Sequence, residues 1–234
     1  MRESILTIPI NEVFEPKCGC PICAMRNSVE EHMCEYIMGA AMMEPDVRIE
    51  TNALGFCHRH YNDLLRQSNR LSLALMLDTH LTELRKELFE KKSALFSKKD
   101  NAKKYAEIGQ TCFVCSYVNR GVEHMLETVF TMFAKDEGFR RLYSEQEYIC
   151  IPHYRQLMIS AQNVLKKSEL KAFEEATDAL VERYIKSLND DVHTFCSSYD
   201  YRNKGMLHNE DMEHVRASIE RAIEFLTSRK PDAK

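Results

Sequence analysis

The stretch CPICAMRNSVEEHM, residues 20–33, recurs in this chain as CFVCSYVNRGVEHM, residues 112–125. Six of the 14 aligned positions are identical, both cysteines among them. After one inserted residue, CHRHYNDL (57–64) aligns with CIPHYRQL (150–157), and the cysteine, histidine, tyrosine and leucine recur. Self-similarity of this kind is typical of an internal duplication, so the sequence predicts two tandem pseudo-repeats of one structural unit.

Each repeat carries a C-x₂-C pair and, further on, a C-x₂-H pair. The gap between the pairs is 33 residues in the first repeat and 34 in the second. Three thiolates and one imidazole are the ligands of a closed tetrahedral metal site. We therefore expect one site in each repeat, with these ligands: Cys20, Cys23, Cys57 and His60 in the first, and Cys112, Cys115, Cys150 and His153 in the second.

The ligand types favour zinc, two ions per chain, with an iron–sulfur cluster as the alternative. Because the protein fills all four positions in each set, the sites are expected to be structural rather than catalytic. The gap of 33 or 34 residues is longer than in the zinc fingers that bind nucleic acids.

The predicted fold is all-α. Glycine and proline are few, with seven and six residues, and apolar residues recur at helical spacing over 62–92 and 169–188. In each repeat we expect a first helix (near 23–42 and 115–134), an irregular return segment (43–56 and 135–149), and a long second helix that begins at the C-x₂-H pair. The metal would join the two ends of this helical hairpin.

The predicted organisation has three parts, with the two repeats packed as one domain. The first repeat, with an extended N-terminal arm, covers 1–98, and the second covers 99–199. A loop and a closing C-terminal helix follow over 200–234, with Asn209 as the expected N-cap.

Composition restricts the function classes. No apolar run approaches the roughly 20 residues that a membrane helix needs, and the N-terminal residues show no secretory signal, so we expect a cytoplasmic protein. The formal net charge of −4 makes nucleic-acid binding improbable. Nine cysteines in such a protein indicate metal or redox chemistry. Three of them remain outside the ligand sets: Cys18 is expected to be a spare thiol or, in the other interpretation, an alternative ligand, and Cys34 and Cys196 are expected to be buried.

Polar residues that recur between the repeats are candidates for further roles. They are Asn27, Glu31 and His32 in the first repeat, and Asn119, Glu123 and His124 in the second. The asparagines could hydrogen-bond near the metal, and the glutamates and histidines could form a polar or metal-binding cluster between the repeats. The alternative is that all six serve helix packing.

The segments TIPINEVFE, CPIC, GFCHRHY, CFVC, CIPHY and FCSSYDYRN together resemble an uncharacterised bacterial family classed as a domain of unknown function. The resemblance runs from about residue 5 to the final helix. Members share the paired motifs and a late Asp-Tyr-Arg, here Asp200, Tyr201 and Arg202. The resemblance implies no activity. Asp200 and Arg202 could serve function or could simply form an ion pair that fixes the last loop.

No hydrolase triad, phosphate loop, dinucleotide fingerprint or H-E-x-x-H helix is visible in the sequence. The leading hypothesis is therefore a zinc-stabilised helical interaction or regulatory module, not an enzyme, with an unknown protein partner. The alternative is a redox or metal sensor that uses an iron–sulfur cluster or labile zinc thiolates. A third hypothesis is an enzyme with a polar cleft around Glu31, His32, Glu123 and His124.

Overall fold

The computed structural model describes residues 7–90, 109–199 and 209–231, and within these ranges the chain is all-α, which confirms the predicted fold class. The α-helices are α1 Ile8–Phe14, α2 Pro21–Met38, α3 Pro45–Leu54, α4 His58–Arg66, α5 Arg70–Arg85, α6 Phe113–Lys135, α7 Glu137–Ser144, α8 Ile151–Val164, α9 Lys167–Ser198, α10 Asn209–Arg216 and α11 Ser218–Thr227. A 3₁₀ turn over Ala40–Met43 precedes α3, and a π-helical turn over Lys86–Glu90 follows α5.

The two return segments are helical, so the prediction of irregular structure there is wrong. Helix α3 begins at Pro45, whose fixed φ suits the first helical turn. Helix α7 is capped by Asp136, whose Oδ1 accepts hydrogen bonds from the backbone N–H groups of Gly138 (2.8 Å) and Phe139 (3.1 Å). Both helices are short, ten and eight residues, so each offers fewer than about three turns in which a helical period can be seen in the sequence.

The helix after each C-x₂-H pair is interrupted, in contrast to the predicted continuous helix. Residues between α4 and α5 break the first, and the side chain of Asn69 then caps α5 by accepting from Ser72 N–H at 3.2 Å. In the second, Glu169 accepts from the backbone N–H of Lys166 at 3.1 Å at the start of α9.

Two terminal predictions also need correction. The predicted N-terminal arm is helical over Ile8–Phe14, because Pro9 lies in the first turn and Ile10 and Phe14 turn to one buried face. The predicted single C-terminal helix is two helices, α10 and α11, which meet at Ala217.

The described chain forms two compact units whose limits differ from those of the sequence repeats. The terminal unit comprises Met1–Met25 and Glu123–Lys234, and the central unit comprises Arg26–Val122. The unit boundaries fall inside α2 and α6. The predicted boundaries at 98/99 and 199/200 fall at or within segments outside the described residues.

Aromatic rings form the core of the terminal unit. Phe133, Tyr143 and Phe173 lie within 5.3 Å of one another by ring centroids, and Phe14 joins Tyr143 at 5.9 Å. The buried hydroxyl of Tyr143 is satisfied by Thr177 at 2.9 Å. Ring burial of this extent fixes α1, α6, α7 and α9 around one core.

The central unit is built on the packing of α3 against α5. Arg48 donates to the carbonyl of Leu75 at 2.9 Å and to Thr79 Oγ1 at 2.7 Å. The Nδ1 atom of His80 lies 2.7 Å from the carbonyl oxygen of Asn52, near the end of α3. These contacts fix the C-terminal end of α3 immediately before the first C-x₂-H pair.

Gly55 is required at the end of α3. Its φ of +57° and ψ of −157° are accessible almost only to glycine, and an added Cβ would lie 2.8 Å from Nε2 of His80. We predict that Gly55→Ala lowers the free energy of unfolding by about 2 kcal/mol or more. Gly109→Ala is the control, because φ is +73° but an added Cβ meets no described atom within 4 Å. Equal losses in urea denaturation of the two variants would contradict a role for the His80 contact.

Candidate metal centres

The terminal unit contains one cluster of potential metal ligands. Cys20 and Cys23 lie at the start of α2, and Cys150 and His153 lie at the start of α8. The Nδ1 atom of His153 is 3.6, 3.3 and 3.1 Å from the sulfurs of Cys20, Cys23 and Cys150. The sulfurs of Cys23 and Cys150 are 3.7 Å apart. We call this group the terminal cluster.

The central unit contains the second cluster, built in the same way. Cys57 and His60 lie at the start of α4, and Cys112 and Cys115 lie at the start of α6. The Nδ1 atom of His60 is 3.2, 3.1 and 3.4 Å from the sulfurs of Cys57, Cys112 and Cys115. The sulfurs of Cys57 and Cys115 are 3.9 Å apart. We call this group the central cluster.

These distances fit one tetrahedral ion in each cluster. Zn–S bonds of about 2.3 Å and Zn–N bonds of about 2.0 Å give tetrahedral edges of about 3.5 Å between S and N and about 3.8 Å between two sulfurs. The measured separations lie around these values, and all four ligand atoms of each cluster lie within 4.8 Å of one another. Each cluster could therefore hold a metal ion.

The predicted pairing of the motifs is wrong. The expected sets joined each C-x₂-C pair to the C-x₂-H pair of its own repeat, whereas each cluster combines the C-x₂-C pair of one repeat with the C-x₂-H pair of the other. The predicted pairing needed a return segment extended enough to cover the length of the first helix. Helix α3 takes up ten residues of that segment and spans only about 15 Å.

Helix starts position every ligand. Cys57 and Cys150 occupy the N-cap positions of α4 and α8, with extended backbone. The histidine three residues later, in the first turn of the helix, brings its Nδ1 close to the sulfur of that cysteine. Cys112 Sγ accepts from the N–H of Cys115 at 3.5 Å. Unpaired N–H groups and the positive end of the helix dipole favour thiolates at these positions.

In the central cluster without a metal, the pKa values of the thiols and the imidazole differ widely from one another. Burial raises the pKa of the Cys112 thiol, but the hydrogen bond to His60 outweighs this and lowers the pKa to about 6. Burial lowers the pKa of His60, but its contacts with Cys112 and Glu30 raise it to about 10. Burial and the neighbouring Cys112 raise the pKa of Cys115 to about 12.

In the terminal cluster, too, one thiol has a lowered pKa and the others have raised pKa values. Despite burial, hydrogen bonds from Cys150, Cys23 and His153 hold the pKa of Cys20 well below its usual value. The contact with Cys20 raises the pKa of Cys150 to about 12, and contacts with Cys150 and Cys20 raise the pKa of Cys23. Strongly lowered and strongly raised thiols thus share each cluster, and a divalent cation is what would allow all three to be thiolates.

Glu30 is a site residue that sequence reasoning missed. It lies on α2 with 7% of its surface exposed. Its Oε1 is 2.7 Å from Nε2 of His60, and its Oε2 accepts a hydrogen bond from Arg59. Burial raises the pKa of the Glu30 carboxyl, but the hydrogen bond to His60 and the charge of Arg59 outweigh it and lower the pKa.

A family model described as a family of unknown function, DUF6062, matches residues 1–233. The chain belongs to the DUF6062 family. This confirms the resemblance seen in the sequence. No curated protein and no solved structure matches this DUF6062 chain. The evidence for its function therefore comes from its own residues.

The other repeated polar residues lie on the surface of the DUF6062 protein. Asn27, Glu31, His32, Asn119, Glu123 and His124 are all exposed. The hydrogen bonds and ion pairs found for them in the described residues are to Ser28 (His32), Arg26 (Asn119), and Glu127 and Thr128 (His124), none of which is a cluster ligand. A cleft formed by Glu31, His32, Glu123 and His124 stays a prediction.

The remaining predicted residues are placed as follows. Cys34 is buried, as expected, whereas Cys18 and Cys196 are exposed. Cys196 was predicted to be buried, and this is wrong because it lies on the solvent side of the last turns of α9. Asp200 and Arg202 lie outside the described residues. Among the described helices, none combines the length and the apolar character that crossing a bilayer requires.

The exchanged pairing can be tested by counting metal ions in double variants. Cys20→Ser with Cys150→Ser removes two ligands of one cluster, so we expect the loss of one ion from a chain that binds two. Cys20→Ser with Cys57→Ser damages both clusters, so we expect the loss of both ions. If each repeat instead kept its own four ligands, the first double variant would lose both ions and the second would lose only one. Elemental analysis of the purified variants distinguishes the two pairings.

Metal binding at the central cluster should release protons. At pH 7 the pKa values of about 10 for His60 and about 12 for Cys115 keep both groups protonated in the metal-free protein. A metal must displace at least these two protons, so its apparent log K should rise by about two or more per pH unit near neutrality and fall as the pH falls. We would measure this in the variant with Cys20→Ser and Cys150→Ser. A pH-independent affinity would contradict the assignment of the ligands.

Proposed function

We propose that this DUF6062 protein is a zinc-binding helical protein with two structural Cys₃His sites, and that it acts as an interaction or regulatory module rather than as an enzyme. The observation that carries the proposal is the closed ligand set of each cluster: four ligand atoms within 4.8 Å of one another. A tetrahedral ion with four protein ligands keeps no position for a substrate or water.

The choice of zinc rests on ligand type and spacing. Thiolate with imidazole suits zinc, and the separations in both clusters fit bonds to one ion. An iron–sulfur cluster spreads its cysteine ligands over two or more iron atoms, and ligands so distributed would lie further apart than those seen here. The spacing therefore supports a single ion.

The proposed structural role follows from where the ligands lie in the chain. The terminal cluster joins residues 127 apart, Cys23 and Cys150, and the central cluster joins residues 58 apart, Cys57 and Cys115. An ion that joins such distant segments restricts the unfolded chain strongly, and its binding free energy becomes folding free energy.

A surface feature of the central unit supports the interaction role. A cavity of about 610 Å³ lies between α2, α3 and α6, and a second of about 550 Å³ shares Glu50 and Arg120 with it. Together they form a groove along α3, next to Ile49, whose side chain is 66% exposed. We infer that this groove, which is concave and largely apolar, would receive an apolar segment of a partner protein. All nine cysteines are free thiols, which supports our placing the protein in the cytoplasm.

We expect two zinc ions per chain, and removal of both by a strong chelator should abolish most of the helical circular dichroism. Cys112→Ser should reduce zinc to one per chain and lower the unfolding temperature. The control is Cys196→Ser, which changes an exposed thiol outside both clusters and should keep two ions. Cleanly purified protein without zinc, or with full helicity after chelation, would overturn the proposal.

The second candidate is a redox sensor with labile zinc thiolates, and the spacing of the sulfurs favours it. Cys23 lies 3.7 Å from Cys150 and Cys57 lies 3.9 Å from Cys115, and three of these four residues are half-exposed. Hydrogen peroxide would oxidise either zinc-bound pair to a disulfide: two thiolates, one hydrogen peroxide and two protons give one disulfide and two water molecules, and the ion is released.

Mild peroxide distinguishes the two candidates. A structural site should keep its zinc at peroxide concentrations that oxidise an exposed thiol such as Cys196. A sensor should release zinc and gain a disulfide that a thiol reductant reverses, visible by a zinc dye and by mass spectrometry. A brown protein with charge-transfer absorption after anaerobic purification would instead indicate an iron–sulfur cluster.

A further inference from the structure

The two clusters differ in what lies behind their histidines. In the central cluster, Nδ1 of His60 faces the three sulfurs and Nε2 faces Glu30 at 2.7 Å. In the terminal cluster, the hydrogen-bond contacts found for His153 within the described residues all involve Nδ1. The central cluster therefore has a carboxylate hydrogen-bonded to its histidine, and among the described residues the terminal cluster shows none.

Aligning the two similar segments of the sequence shows that two residues differ between the sites, the carboxylate and the arginine that holds it. In the alignment of the repeats, Glu30 corresponds to Val122 and Arg59 corresponds to Pro152. The carboxylate and the guanidinium that holds it are thus both absent from the second copy, although the ligands themselves recur. Val122 is fully buried and cannot accept a hydrogen bond. The pair belongs to one site only.

We propose that Glu30, held by Arg59, positions His60 as a metal ligand and makes the two metal sites unequal. The inference rests on the proposed zinc function. A carboxylate at Nε2 keeps the proton on that nitrogen, which leaves the lone pair of Nδ1 directed at the three sulfurs. It also fixes the plane of the ring and makes the ligating nitrogen a stronger donor to the metal.

The geometry distinguishes this role from that of a simple ion pair. The Arg59 side chain is 46% exposed, so an ion pair with it alone could form at the surface. Glu30 is instead buried and uses one oxygen for Arg59 and the other for His60. A buried carboxylate needs such partners, and the second partner is the metal-facing histidine.

The test compares zinc retention in Glu30→Val, Glu30→Gln and the control Glu31→Gln. Glu30→Val introduces the residue of the other repeat, and Glu30→Gln keeps an acceptor without the charge. Glu31 is the adjacent, exposed glutamate of the same helix. In chelator titrations we expect Glu30→Val to weaken one of the two zinc ions by roughly 10–100-fold. Glu30→Gln should have a smaller effect, and Glu31→Gln should have none.

A spectroscopic measurement separates positioning from general stability. In cobalt-substituted protein, Glu30→Val should change the absorption bands of half of the bound cobalt. In ¹⁵N NMR of histidine-labelled zinc protein, His60 should show a protonated Nε2 with slow exchange, and Glu30→Val should accelerate that exchange. The His153 signals in the NMR spectrum should not change. Partial rescue by Glu30→Gln is expected only if the acceptor acts on the histidine.

Two outcomes would overturn the inference while leaving the zinc function intact. The first is two equally weakened zinc ions in Glu30→Val, which would indicate loss of global stability. The second is unchanged zinc retention and an unchanged His60 signal in both Glu30 variants. If the wild-type protein binds no zinc at all, the proposed function itself fails, and that result is seen before any Glu30 variant is made.

Discussion

Three thiols and one imidazole lie within 4.8 Å of one another in each cluster, and the rest of the structure depends on how that crowding is resolved. The pKa of Cys112 falls to about 6 while that of Cys115 rises to about 12, so the central cluster does not readily hold three thiolates without a cation. A divalent ion would remove this conflict. If each ion acts as a cross-link, closing loops of 58 and 127 residues would stabilise the fold by about 4 and 5 kcal/mol.

The two ligand pairs of each cluster come from segments that lie far apart in the sequence. Each cluster combines the C-x₂-C pair of one predicted repeat with the C-x₂-H pair of the other, and each cluster lies entirely within one compact unit. Had each cluster taken both pairs from the same predicted repeat, an ion in it would have closed a shorter loop. In the observed arrangement, an ion in either cluster would join distant segments within one compact unit, so metal binding would be coupled to the folding of that unit.

The sequence was sufficient to predict the helical class and the eight residues that form the two clusters, because both depend on local patterns in the sequence. The pairing of the ligands could not be predicted, since both pairings use identical residue types, and the choice between them depends on whether residues 43–56 are extended or helical. Glu30 was missed for a related reason. Comparing the repeats reveals what they share, and Glu30 with Arg59 is where they differ; the joint change to Val122 and Pro152 was the available signal.

Two features of the central cluster have opposite effects on how easily it would lose a metal ion: its thiols are more exposed, and its histidine is held by a carboxylate. Cys57 and Cys115 are half-exposed there, whereas only Cys23 is half-exposed in the terminal cluster, so oxidants and competing chelators reach the central cluster more easily. The same cluster has the buried carboxylate that fixes its histidine. A site that is both more accessible and better supported can hold its metal firmly at equilibrium and still exchange it through its exposed thiolates. If either site has a regulatory role in addition to its structural one, these features favour the central site.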